Sequence, residues 1–558
     1  MEPYVREEPS KLWSGLQKCK SLAKVIKSRR APPWPSTQST ALPPRHVCDQ
    51  LVGNYLRTSE TVYRVLHVPT FNRDYEAMWA SNSDPDHVWL LQLKLVLAIG
   101  AATHDEQFSM RTEATHWVYE AHTWLSAPGF KSRLNIQPLQ VSLLTLLARE
   151  ATGVGEELNG ISAGTVLRTA ICMGLHRDPT RLPKMAFFAA EMRRRLWNTI
   201  LELNLQSSIT SGESPLFSLN DFDTDPPGNY EDEQVATTDP VPNSEDDLTT
   251  MSVAIALRKT FPLRLAITKF LNDLGSHGTY EKTLHLDAEL RAAYKAMRRV
   301  TSRAKPQLQE LSRFGAQVMD LIVHRYLLAL HLPFFGLALR EAAYAFTRQV
   351  LVDTAHNIWR AVYPSDSVIG SLRGERFRPD ESELARLTRN GSGFFRIAAT
   401  QACLVIALEL RSQLQQGESL GPGPLRPDLL SIMEETKSWA LECVEAGETN
   451  VKGCLLISGV SAHVDGLRRG LGQEDLAQLL MKEAEEGIEK CLAILEVSVT
   501  DGSATGDRNE VDKVTLDMQP GRVEDWEFVA SDSLFDFGNL DSMNWIFDDT
   551  MGREFALL

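Results

Sequence analysis

Apolar residues recur along most of this chain at the three-, four- and seven-residue steps of a buried helix face. Leu51, Val52, Tyr55, Val62 and Leu66 follow that period. Leu139 to Leu147 is apolar enough for a core helix, and Met192 to Ile209 places Leu196, Ile200 and Leu203 on one stripe. Val318 to Leu330 and Ala402 to Leu410 read as buried helices. No convincing alternating run flanked by hairpin turns accompanies them, so the pattern predicts an all-α body.

The helical pattern begins near Val47 and fades after Val499. Before it, Leu22, Val25 and Ile26 fall at helical spacing inside the basic stretch Lys18 to Arg30. Ala31-Pro-Pro-Trp-Pro35 then stops any helix, because proline lacks the amide donor and clashes with the preceding turn. Residues 31–44 read as an extended linker. Asp221 to Asp247, acidic and rich in proline and threonine, reads as a long surface loop. Ser365 to Gly393 is polar and reads as partly disordered. The resulting division is linear. Residues 1–46 form a basic segment and Pro-rich linker, 47–499 a large helical domain, and 500–558 a disordered acidic tail.

Composition adds little for the body: 43 % hydrophobic and 23 % charged residues suit a soluble globular protein. Charge distribution adds more. The net charge of −15 is uneven: residues 501–558 hold 14 acidic and 4 basic side chains, whereas the first 30 hold 8 basic and 3 acidic. Lys18, Lys20, Lys24, Lys27, Arg29 and Arg30 are candidates for a nuclear-import signal, a phosphate-backbone contact or a solvated helix face. In the tail, acids alternate with Trp526, Phe528, Phe535, Phe537, Trp545 and Phe547, the composition of an amphipathic activation segment. Repulsion between the acids would keep these rings solvated until a partner groove accepts them. The rival reading is a plain disordered tail, or a last helix packed back on the body.

The 7 cysteines are widely spaced and include no Cys-x-x-Cys, which argues against a disulfide framework and against a cysteine-built zinc site. The N-terminus lacks the apolar core of a signal peptide. The most apolar run, Leu90 to Ala102, is far short of the ~20 residues that cross a bilayer, so no membrane partner is expected.

Candidate chemistry is sparse. His176-Arg177-Asp178 matches a kinase triplet but lacks the asparagine five residues on. Gly160-Ile-Ser162-Ala-Gly164 matches a hydrolase elbow but follows polar residues where a buried strand is needed, so Ser162 is expected near a helix start. His67 and His331, each two residues before a proline-aromatic element, read as hydrogen-bonded structural histidines. In Glu191-Met-Arg-Arg-Arg-Leu-Trp197, positions ~100° apart cannot all face solvent. At least one arginine must turn inward and needs a carboxylate, with Asp178, Glu191 and Asp223 as candidates. The expectation is a clamp that fixes the 210–247 loop to the arginine helix. No catalytic, cofactor-binding or metal-ligating residue is expected, and the chain is not read as an enzyme.

The motifs Tyr63 to Phe71, Gly174 to Asp178, Glu191 to Trp197, Pro226 to Tyr230 and His331 to Phe335, in that order, resemble the middle homology (regulatory) domain of the fungal zinc-cluster (Zn2Cys6) transcription factors. The resemblance runs from about Trp13 to Glu496. It implies a nuclear transcription regulator whose helical regulatory domain answers to a small-molecule effector or partner. It also implies a tail that recruits transcription machinery, and contact with DNA directly or through a partner subunit. Target genes in a secondary-metabolite biosynthetic cluster follow from the same resemblance. The family's zinc cluster uses six cysteines ahead of this domain. Only Cys19 and Cys48 stand there, so the cluster is read as missing and no zinc is expected on this chain. The alternative is a small-molecule sensor or inhibitor that pairs with a DNA-binding relative without touching DNA.

Overall fold

The computed structural model describes residues 11–36, 39–81, 85–129, 133–155, 159–244, 247–273, 275, 278–301, 306–364, 382–420 and 426–501. Helices follow one another as α1 (Lys11–Arg30), α2 (Arg45–Arg57), α3 (Val68–Ala80), α4 (His87–Ala101), α5 (Arg111–Ser126), α6 (Ile136–Thr152), α7 (Asn159–Cys172) and α8 (Phe187–Ser211). They continue as α9 (Ser252–Leu271), α10 (Tyr280–Thr301), α11 (Pro306–His331), α12 (Ala345–Val362), α13 (Glu383–Asn390), α14 (Phe394–Leu420), α15 (Pro427–Glu445), α16 (Lys452–Arg468) and α17 (Gln473–Asp501). No strand occurs among the described residues, as the sequence pattern predicts. The tail aromatics from Trp526 to Phe547 lie outside the described residues.

The chain forms two compact units from discontinuous stretches. Described residues within 33–335 and 346–399 make the larger; those within 11–32, 336–345 and 400–501 make the smaller. The linear division into segment, domain and tail therefore does not coincide with the packing. The basic stretch is helix α1, grouped with residues 400–501.

In the larger unit α4 is the central rod. Every residue from Trp89 to Ala101 is buried, and each enclosed leucine contributes about 1.5–3 kcal/mol. Asp86 starts the helix by accepting from the Trp89 amide. Helices α2, α5 and α6 surround it. The α2 crossing is so close that a Cβ on Gly100 would lie 2.0 Å from the Leu51 carbonyl oxygen. Lys94 is enclosed in this rod and pairs with Glu120 of α5 at 2.5 Å. Around this core, α8 packs on α7 and α9, and α11 on α9 and α10. The stretch Arg313–Ala338 has the length and apolarity of a membrane span, yet 61 % of its apolar 18-residue window is buried within the protein. The linker after Pro33 is non-helical, as expected, but packed: Trp34 lies against Tyr119 and His122, and the Ser36 amide donates to Thr123.

Two sequence expectations need correction. The period through Leu51, Tyr55, Val62 and Leu66 is not one helix. It breaks at Thr58, and a separate turn, Ser59–Val62, carries the chain toward α3. Of the polar stretch 365–393, residues 365–381 lie outside the described residues, and Glu383–Asn390 forms helix α13: the Ser382 hydroxyl caps it, and Leu384, Thr388 and Asn390 are buried.

In the smaller unit α17 packs against both α1 and α16, and α15 against α16. Small residues make the contacts tight. A Cβ on Gly15 of α1 would sit 2.5 Å from Cγ2 of Ile488 on α17.

Candidate functional site

The five sequence motifs do not form a catalytic cleft; four of them meet in a buried ion network in the larger unit. Its base is the start of α8. Helical spacing sends the three arginines in different directions. Arg193 donates to the Met173 carbonyl at 2.7 Å. Arg194 grips Asp178 through Nε and Nη2, both at 2.9 Å. Arg195, 0 % exposed, donates to Asp232 at 2.6 Å, with its Nε 3.6 Å from Glu191.

Asp232 opens a one-turn helix, Asp232–Val235, held by reciprocal side-chain bonds between Glu231 and Gln234. Its carboxylate also accepts from Arg64 at 2.6 Å and from the Val68 amide at 3.1 Å. Its carbonyl lies 2.8 Å from His67 Nε2, and His67 Nδ1 bonds Thr70. Burial alone would raise the Asp232 carboxyl, but Arg64 and Arg195 outweigh it and hold the group below the ordinary carboxylate range. Glu60 closes the far side. It accepts from Tyr55 at 2.6 Å and from the Leu66 amide at 3.1 Å, and burial pushes it up to about 7. Burial likewise pushes Glu191 up to about 7, although Arg195 and the Gly228 amide favour its ionised form.

Asp178 organises the second half. Gly174 leaves α7 with φ +73°, a left-handed turn that suits glycine. That turn delivers Asp178 to cap a short 3-10 helix through the Thr180 amide. Asp178 also accepts from the Asp225 amide, 47 positions on. Burial works to raise its carboxyl, yet hydrogen bonds from Arg194, Thr180 and Asp225 prevail and keep it well below the usual range. The clamp expected between the arginine helix and the 210–247 loop is therefore present, with Asp178 and Glu191 as partners. Asp223 is not one of them: it pairs with Arg177 and Arg181 at 3.1 and 3.0 Å. Asp232 takes its place at Arg195. It lies two residues past the Pro226 to Tyr230 motif, and nothing local marked it as the inward arginine's partner.

Chemically this network holds backbone in place. Each carboxylate accepts from an arginine, hydroxyl or amide donor, although Glu191 Oε2 and Arg195 Nε and Nη2 are buried without a hydrogen bond, and the kinase-like Asp178 is fully engaged. Ser162 lies on α7, as expected, and its hydroxyl accepts from Arg149 at 2.7 Å. The fifth motif lies apart from the network. His331 is enclosed between Thr347 at 2.9 Å and Asp287 at 3.2 Å, so both singled-out histidines are hydrogen-bonded structural residues.

The basic candidates lie on α1 and partly serve its packing. Lys18 pairs with Glu496 at 2.5 Å, and Arg29 donates to the Val499 carbonyl at 2.6 Å. Arg30 donates to the Gly447 carbonyl at 2.7 Å. Lys24 and Lys27 are exposed, and Lys20 is half-buried.

Residues 52–312 match the fungal specific transcription factor domain. The transcription factor lepE of Aspergillus flavus is 31 % identical over 503 residues, which is 86 % of this chain and 59 % of that protein. The transcription factor opdR of Penicillium oxalicum is 29 % identical over 553 residues, 93 % of this chain and 67 % of that protein. The aspyridones cluster regulator apdR of Emericella nidulans is 27 % identical over 431 residues, 73 % of this chain and 54 % of that protein. The chain thus spans little more than half to two thirds of these relatives. No solved structure matches. A zinc cluster of the kind these families carry does not fit the residues in hand. Cys48 bonds the Pro43 carbonyl, Cys19 is buried in α1, and no three His, Cys, Asp or Glu among the described residues are grouped to hold a metal ion.

Proposed function

We propose, from the match of residues 52–312 to the fungal specific transcription factor domain, that this chain is a nuclear regulator of transcription in which the helical body answers to an effector or partner and the acidic tail recruits the transcription machinery. The observation that carries this reading is the match over residues 52–312, which encloses Glu60, Arg64, Asp178, Glu191, Arg195 and Asp232. The network that pins the 210–247 loop is thus part of the matched domain. The relatives' names support the transcriptional role, and one of them, a cluster regulator, supports target genes in a secondary-metabolite cluster. DNA is reached directly or through a partner subunit.

The test is to fuse residues 500–558 to a foreign DNA-binding module and read a reporter gene. Activation above the module alone is expected. A silent fusion would overturn the recruiting role and favour the rival, a sensor or inhibitor that pairs with a DNA-binding relative.

A further inference from the structure

Three side-chain nitrogens at the start of α8 and the turn before it are enclosed without a hydrogen bond: Arg193 Nε, Trp197 Nε1 and His176 Nδ1. Their side chains are neighbours. Arg193 and Trp197 stand one turn apart on one face of α8. The His176 ring lies 6.4 Å from that of Trp197, tilted by 57°. Arg193 reaches the same turn of chain: its Nη2 donates to the Met173 carbonyl at 2.7 Å and would lie 3.4 Å from a Cβ on Gly174. Phe222 meets Trp197 edge-on at 5.7 Å. The segment that carries Phe222 is tied to the turn, since the Asp223 amide donates to the His176 carbonyl and the Thr224 hydroxyl to the Leu175 carbonyl.

The three nitrogens share one chemistry. The Trp197 indole nitrogen is a donor only, Arg193 Nε belongs to a permanent cation, and His176 donates through Nδ1 in one of its tautomers. A buried donor without an acceptor keeps its full desolvation cost, and native interiors hold few of them. Three on adjoining side chains mark a place for an acceptor. Arg193 sets its charge. Unlike Arg194 and Arg195, it forms no ion pair among the described residues, and burial lowers its guanidinium with no carboxylate opposing the shift. Arg258, the next guanidinium along, is served otherwise: it lies over Phe222 at 4.9 Å and donates to the Thr224 carbonyl at 3.3 Å. One uncompensated positive charge suits a monoanion better than a dianionic phosphate, whose second charge would be buried unpaired. Trp197 is 2 % exposed, whereas His176 and Arg193 are half-buried, so solvent reaches the site along those two.

We propose that His176, Arg193 and Trp197 bind the carboxylate of a small organic monoanion. Arg193 Nε supplies the charged hydrogen bond, Trp197 Nε1 a fixed neutral one and His176 Nδ1 a third. The bound anion ties the turn at Gly174 to α8, beside the loop that Asp178 and Asp232 pin. The inference deepens the effector reading above and rests on it for its regulatory meaning. The reporter fusion tests the tail alone, so either can fail without the other.

The test uses the full-length chain at fixed pH and ionic strength, with sodium formate, acetate and benzoate as probes and chloride and benzamide as controls. Thermal melting and titration calorimetry are the readouts. A saturable rise in melting temperature with at least one carboxylate, absent with chloride and benzamide, is expected. Arg193→Met and Trp197→Phe should each weaken that binding about tenfold or more, the loss of one hydrogen bond to a charged group. Arg181→Met, which removes an exposed arginine paired with Asp223, should leave it unchanged. The proposal is overturned if none of the three carboxylates binds, or if binding survives unaltered in Arg193→Met. It is also overturned if a crystal structure of the acetate-treated chain shows only water on the three nitrogens. Titration of the unsubstituted chain against benzoate and benzamide decides whether a carboxylate binds even where a variant does not fold.

Discussion

Arg195 and Asp232 meet at 2.6 Å with both side chains buried, although 37 positions separate them. Asp232 gives the same oxygen to Arg64 at 2.6 Å, so one carboxylate serves two enclosed guanidinium groups. The desolvation cost of such a cluster offsets most of its attraction, which makes it a device for fixing geometry rather than a large source of stability. Removing one member is a different matter, because the remaining charges stay buried.

Asp232→Ala should therefore destabilise the larger unit by about 3–5 kcal/mol. Urea denaturation reads this directly. Glu76→Ala, which removes the half-exposed partner of Arg45, should leave the midpoint almost unchanged. Equal effects from the two substitutions would remove the network from its assigned role.

Stability should fall as pH rises toward neutrality. Glu60 and Glu191 bind their protons more tightly folded than unfolded, since burial lifts both to about 7. Their contribution is complete below the unfolded carboxylate range and is lost as pH rises through about 7. Asp178 and Asp232 are shifted the other way, and their contribution is lost as pH falls below that range. A melting-temperature profile should decline as pH rises from about 4.5 to about 7 and level off above that, and Glu191→Gln should flatten the decline. A profile that Glu191→Gln leaves unaltered would show that Glu191 does not titrate there.

Gly100→Ala should be among the most damaging small substitutions. The added methyl meets a backbone carbonyl at 2.0 Å, which no rotamer change relieves. Overpacking of this kind costs about 1–3 kcal/mol or more. Circular dichroism melting of the variant against Gly53→Ala, whose nearest neighbour is the flexible Arg57 side chain, isolates the backbone clash.

The two kinds of basic residue on α1 should separate. Arg30 donates across the smaller unit to Gly447, and its loss should cost about 1–2 kcal/mol. Lys24→Ala with Lys27→Ala, at exposed positions, should spare the melting temperature and lower nuclear accumulation of a fluorescent fusion. Unchanged accumulation would leave this stretch as a packing helix alone.

Replacing Trp526, Phe528, Phe535, Phe537, Trp545 and Phe547 by alanine in the reporter fusion should reduce activation several-fold while the negative charge is kept. Activation that survives this change would assign the effect to charge instead of the rings.

Helix existence was legible because the 3.6-residue period is local. Leu139 to Leu147 and the Leu196–Ile200–Leu203 stripe announce their helices without reference to the rest of the chain. The same geometry dictated that three consecutive arginines could not all face water, and Arg195 is the one enclosed. Clustering of acids and aromatics past residue 500, and of bases before residue 31, is likewise a property of composition alone.

Which carboxylate meets which arginine was not local. Asp223 and Asp232 are nine positions apart in one loop, and their neighbourhoods carry similar acidic residues. Only the path of that loop decides that Asp232 goes inward to Arg64 and Arg195 while Asp223 stays with Arg177 and Arg181. The grouping of α1 with residues 400–501 also rests on contacts between distant stretches. Periodicity specifies which faces must be buried. Where each buried charge finds its partner depends on how those faces pack, and packing belongs to the whole fold.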